Sequence, residues 1–166
     1  MPEVAIKHPA MNSEDAKKAP KREPVDPGEY AAVIVNAPLG VTRGVPPLQK
    51  ISVNFHLIHK INEDGSIEAK WAGRRVFQDY ILEPDPSNSF MDEQRRYELR
   101  MLLDASGIVY TPTSFNNEHL DNKPVRIVVR HRTGKEKDED GKLMVFSNVV
   151  KVDCPASEAG SDDDLV

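Results

Sequence analysis

The chain has one cysteine, Cys154, in 166 residues. A lone thiol excludes an intramolecular disulfide and any zinc site built on cysteines. Long apolar runs are missing too: 39% of residues are hydrophobic, 30% are charged and the mean hydropathy is -0.53. No segment reaches the roughly 20 apolar residues that a membrane-spanning helix needs, so no membrane partner is expected. The opening MPEVAIKHPAMNSEDAKKAPKR lacks the apolar stretch of a secretory signal, and the expectation is a soluble, cytoplasmic protein.

Signatures of catalysis are equally scarce. There is no Gly-rich phosphate loop, nucleophile elbow or HExxH. His56-x-x-His59 has the spacing of helical metal ligands, but on a regular strand residues three apart point to opposite faces. Asp138-Glu-Asp-Gly141 opens like a calcium loop and lacks the later ligands, including the final Glu. No catalytic residue, metal or cofactor is assigned.

The net charge is -5, from 22 Lys+Arg against 27 Asp+Glu, which taken whole argues against a nucleic-acid partner. The charges divide unevenly. Residues 1–26 hold five bases and five acids and no aromatic residue, and read as a flexible arm. Residues 154–166 hold Glu158, Asp162, Asp163 and Asp164 with no base, and read as an acidic tail. Removing these groups leaves 17 bases and 18 acids in the body, residues 27–153.

Within the body, Glu29–Ala37 reads as a strand bounded by Pro27-Gly28 and Pro38. Lys50–Ile61 alternates: Ile51, Val53, Phe55, Leu57 and Ile61 fall on one face, Lys50, Ser52, Asn54, His56 and Lys60 on the other, with Ile58 out of step. After the turn at Asn62–Gly65 the chain returns through Ile67–Leu82. Ser89 and Asp92 have capping-box spacing before a helix over Met91–Ala105, with Gly107 placed for a left-handed C-cap. Pro124–Thr133 and Leu143–Asp153 read as two more strands. Three strands, a helix and two strands is the order of the OB-fold, so the expectation is a mainly β, five-stranded, OB-fold-like Greek-key barrel with one helix between strands three and four.

That barrel binds extended ligands across its second and third strands and the loops beside them. The residues there are Lys50, Asn54, His56 and Lys60 on the second strand and Lys70, Trp71, Arg74, Arg75, Phe77 and Tyr80 on the third. Arg43 lies in the first loop, Arg126, Arg130 and Arg132 on the fourth strand, and Lys135 and Lys137 beyond it. Cations that track phosphates, mixed with rings on which bases stack, suit single-stranded nucleic acid. The chain has ten aromatic residues, and the core needs several. Phe55 and Phe146 are assigned to it, and Trp71, between Lys70 and Arg74, is favoured as a stacking ring.

Ser161-Asp-Asp-Asp-Leu-Val166 is similar to the acidic tips of bacterial and phage single-stranded DNA-binding proteins, although Leu165-Val166 stands where the bacterial pattern has Pro-Phe. Pro27-Gly-Glu-Tyr30, Gly73-Arg-Arg-Val-Phe-Gln-Asp79, the helix end Leu99–Ile108 and Lys123–Val129 resemble phage-encoded single-stranded DNA-binding proteins of the OB type. The resemblance implies a sequence-nonspecific protein that coats single-stranded DNA during phage replication, recombination or repair in the host cytoplasm. It also implies that the tail, through Asp162, Asp163, Asp164, Leu165 and Val166, competes with DNA and recruits replication or recombination proteins. The alternatives are a protein-interaction or virion-associated barrel, and a DNA-processing enzyme.

Overall fold

The computed structural model describes residues 3–8, 11, 24–137 and 140–155. Its strands follow the alternation of the sequence. In β1 (Gly28–Asn36) Tyr30, Ala32 and Ile34 point inward, and in β3 (Gln49–Ile61) Ile51, Val53, Phe55 and Leu57 do the same. Two short segments, β2 (Leu39–Val41) and β4 (Ile67–Glu68), add ribbons to β3, and β5 (Arg75–Ile81) pairs with it along its central stretch. After the helix α1 (Asp92–Ser106), β6 (Pro124–Lys137) pairs with β1 and β7 (Leu143–Asp153) pairs with β6. All pairings are antiparallel, in the order β2-β3-β1-β6-β7 with β4 and β5 also on β3.

The expected five-stranded barrel is not formed. Seven strands make an open sheet, and among the described residues no ladder joins β5 to β7. One side-chain link spans that seam: Gln78 Oε1 accepts from the Val149 amide at 3.1 Å. The helix α1 packs against both β5 and β7, with Leu102, Leu103 and Ala105 buried. The resemblance to phage proteins built on the closed OB barrel falls with the barrel itself.

Local punctuation held at one end of the helix and failed at the other. Gly107 adopts φ 73° and ends α1. At the start no side chain among the described residues caps the helix; Ser89 lies in a single 3-10 turn, and Asp92 Oδ1 instead accepts from the Asp85 amide at 3.0 Å. Packing also reaches upstream of β1. Val25 is buried, its carbonyl lies 2.6 Å from His131 Nε2, and the Asp26 carbonyl accepts from Tyr30 Oη at 2.6 Å.

Beyond Val129 and before Val149, β6 and β7 continue as a two-stranded arm that leaves the core. Phe146, expected in the core, lies on this arm and is 38% exposed, together with exposed Leu143, Met144 and Val145.

Candidate nucleic-acid interface

The register fixes which side chains share the outer face of β1, β3 and β5. Val33, His56 and Arg75 form one cross-strand row; Asn36, Asn54 and Phe77 form the next; Ser52 and Asp79, then Lys50 and Ile81, follow. Neighbouring strands are about 4.8 Å apart, so each row is one contiguous strip of side chains. At the β5 end of the second row Phe77 is 60% exposed. A phenyl ring set outward on a regular strand gives up burial it could have had, and here it stands beside Arg75 and His56.

Two rings expected to face a ligand do not. The third strand breaks: Ala69–Arg74 is a turn between β4 and β5, with Gly73 at φ 85°. On one unbroken strand Trp71 and Tyr80 could not share a face, because their separation is odd. The turn removes that constraint, and both point into the core at 5% and 4% exposure. Trp71 Nε1 donates to Asp26 Oδ2 at 3.1 Å. Lys70 Nζ and Arg74 Cζ stand 4.8 and 5.3 Å from its ring centre, so those two cations cover the indole that the sequence reading offered to a base. Burial, and after it the charge of Glu98, pushes the Tyr80 hydroxyl well above its usual range.

A bulge reorders the outer end of β3. Ala31 lies opposite His59 while Ala32 lies opposite Leu57, so Ile58 is the extra residue and is exposed. This explains the break in alternation seen at Ile58, and it inverts everything after it. Lys60 pairs with Tyr30 and leaves the face of His56, its stem passing over Gly28, where a Cβ would meet Lys60 Cε at 2.9 Å. His59 moves onto the face of His56, against the expectation from simple spacing. Among the described residues no group of three or more His, Cys, Asp or Glu is placed to hold a metal.

The remaining cations divide into paired and outward groups. Lys50 Nζ donates to Asp79 Oδ2 at 2.7 Å, and Ser52 Oγ donates to Asp79 Oδ1 at 2.7 Å. Arg126 lies 2.6 Å from Glu29 and 3.8 Å from Asp153, which ties it into the sheet. Arg43 is exposed in the loop between β2 and β3. Arg130, Arg132, Lys135 and Lys137 are exposed along β6. Arg132 Cζ stands 5.2 Å from the centre of the Phe146 ring, its cross-strand partner. The ring also lies on Gly134, where a Cβ would come within 2.6 Å of Phe146 Cε2. This second aromatic–cation pair was missed because Phe146 was assigned to the core; Gly134, a residue without a side chain two positions beyond Arg132, was the available signal. The tail residues Asp162, Asp163, Asp164, Leu165 and Val166 lie outside the described residues.

Asn54 is the anomaly of the face. It points outward by register yet is only 5% exposed, and its Oδ1 has no hydrogen-bond partner among the described residues. An unsatisfied buried acceptor costs about 1–3 kcal/mol, so such groups are rare in stable folds.

No known protein family's model matches the chain, and neither does any curated protein. The geometry therefore carries the functional argument alone.

Proposed function

We propose that the outer face of β3 and β5, with the β6–β7 arm, binds single-stranded DNA without reading a fixed sequence. The observation that carries this is Phe77, 60% exposed on a regular strand with Arg75 and His56 beside it. Stacking on an aromatic ring contributes roughly 1–3 kcal/mol per base and tolerates every base. Arg132 and Phe146 repeat the combination on the arm, where Arg130, Lys135 and Lys137 supply cations for the phosphates. The protein would serve DNA replication, recombination or repair by holding strands while they are unpaired.

Fluorescence anisotropy with labelled oligo-dT, against a duplex of equal length and at two salt concentrations, tests the reading. Binding to oligo-dT that weakens steeply with salt is expected, because phosphate contacts release counterions. No binding at low salt would refute it. The acidic end is assigned a competing role: as a mimic of the phosphate backbone it occupies the basic surface when DNA is absent. Deleting 155–166 is then expected to tighten oligo-dT binding, and equal or weaker binding would remove the tail from the scheme. One feature favours a second reading, a protein-docking arm: Leu143, Met144, Val145 and Phe146 are consecutive and exposed. On that reading the arm binds protein and oligo-dT does not compete.

A further inference from the structure

We propose that the Asn54 carboxamide accepts a hydrogen bond from the Watson–Crick edge of an unpaired base seated on Phe77. The inference rests on the single-stranded DNA reading above and assigns a discriminating residue within that surface.

Three observations meet at this position. Asn54 lies directly across from Phe77 on one side and Asn36 on the other, so it occupies the middle of the row whose exposed end is the Phe77 ring. Cβ atoms of directly opposed residues are about 4.5–5.5 Å apart, within the span of a base that overlaps the ring. Asn54 Oδ1 is out of water and has no partner among the described residues, so a ligand donor gains the bond without first displacing a bound water from it. Binding requires the amide to turn about its broad terminal torsion and present Oδ1 at the face, a change that needs no backbone movement.

The chemistry of that acceptor does not select one base. Thymine N3–H, cytosine N4–H, adenine N6–H and guanine N1–H all lie on the Watson–Crick edge. In a duplex each of these donors is engaged by the opposite strand. Asn54, meeting the Watson–Crick edge of a base stacked on Phe77, therefore rewards a base that is unpaired and not one whose edge is held in a duplex; the second N–H groups that paired bases show in the grooves are not on that edge. Stacking on Phe77 supplies affinity; Asn54 supplies discrimination between single and double strands while the surface stays tolerant of sequence.

The test compares oligo-dT with the same oligonucleotide carrying N3-methylthymine, whose ring still stacks but has lost the N3 donor. Binding is measured by anisotropy for the wild-type chain and for Asn54→Leu, which keeps the size of the side chain and removes the acceptor. The wild type is expected to prefer unmodified oligo-dT by about three- to tenfold, the value of one net hydrogen bond. Asn54→Leu is expected to bind unmodified oligo-dT less tightly by the same factor and to lose the preference. Equal wild-type binding to both oligonucleotides would overturn the role of Asn54 and leave the DNA-binding reading standing. A preference that survives in Asn54→Leu would be steric and would overturn it too. Failure of the wild type to bind either oligonucleotide would overturn both. Asn54→Leu removes an unpaired buried acceptor, so its urea midpoint is expected at or above that of the wild type; should it not fold, Asn54→Ala, which also removes the acceptor, takes its place in the same comparison.

Discussion

Replacing Phe77 with alanine separates binding from folding. Phe77 is 60% exposed, so most of its ring contributes nothing to the core, and the substitution is expected to change stability by no more than about 0.5 kcal/mol. If a base stacks on the ring, the same substitution removes roughly 1–3 kcal/mol of binding free energy, a loss of about 5- to 150-fold in affinity for oligo-dT. Trp71 behaves in the opposite way. It is 5% exposed and donates to Asp26, so Trp71→Ala opens a cavity in the core and is expected to cost about 3–5 kcal/mol of stability. Urea unfolding followed by circular dichroism gives the stabilities, and anisotropy gives the affinities of the variants that remain folded. The reasoning fails if Phe77→Ala binds oligo-dT as the wild type does. It fails equally if Phe77→Ala unfolds at a much lower urea concentration, because the ring would then be structural. Trp71 is the sole tryptophan, and its place in the core means that oligo-dT is expected to leave its emission nearly unchanged even at saturation.

Other parts of the surface yield independent tests. Asp79 holds Lys50 and puts a negative charge on the face. Asp79→Ala is expected to tighten oligo-dT binding and, with Lys50 released to one more phosphate, to steepen the plot of log affinity against log salt by about 0.7. Gly134→Ala places a Cβ where the Phe146 ring lies and is expected to loosen the arm, seen as faster amide hydrogen exchange over Arg130–Lys137, and to weaken DNA binding as Phe146→Ala does. At high pH the buried tyrosines become a liability. Burial, and then the charge of Asp26, raises Tyr30 from 10.0 to about 12, and Tyr80 is raised as well. Groups whose folded pKa is raised hold their protons more tightly in the native state, so their stabilisation is complete below pH 10 and is lost as pH climbs toward the folded value. The unfolding free energy from urea titrations is expected to stay level to about pH 9.5 and then fall, by about 1 kcal/mol from Tyr30 alone at pH 11, with the midpoint falling in step. A level midpoint through pH 11 would contradict the buried hydroxyl.

Much of the strand pattern was legible because it is local. Ile51, Val53, Phe55 and Leu57 declare the inward face of β3 by alternation, and the helix declares its end at Gly107. Face assignments failed where one residue alters the count. The bulge at Ile58 sent Lys60 away from His56, and the turn around Gly73 sent Trp71 to the core, although Lys70 and Arg74 beside it looked like a ligand's surroundings. Those two cations are there, but they cover the indole. Asp79 escaped notice because its influence is across strands: no reading along the chain pairs it with Lys50, 29 positions earlier. Phe146 was misplaced because alternation tells which face a residue occupies, not whether the strand is still inside the body.

The seam between β5 and β7 shows the same limit on a larger scale. Closure would have required the free edges of two strands to match in register across the helix between them, and period two carries no information about that. With Val149 N taken by Gln78, the edge of β7 before it pairs with no other strand among the described residues. Exposed strand edges invite pairing with other chains, and charged side chains are a common defence. Arg130, Arg132, Lys135 and Lys137 on the neighbouring strand fit that defence as well as they fit a phosphate backbone. Guarding an edge and attracting DNA ask for the same residues, so the arm's cations do not by themselves distinguish the two roles. Phe77 does. It pairs with β3 in a regular ladder away from the arm and carries no charge that could guard an edge, so the loss of oligo-dT binding expected of Phe77→Ala separates the two roles.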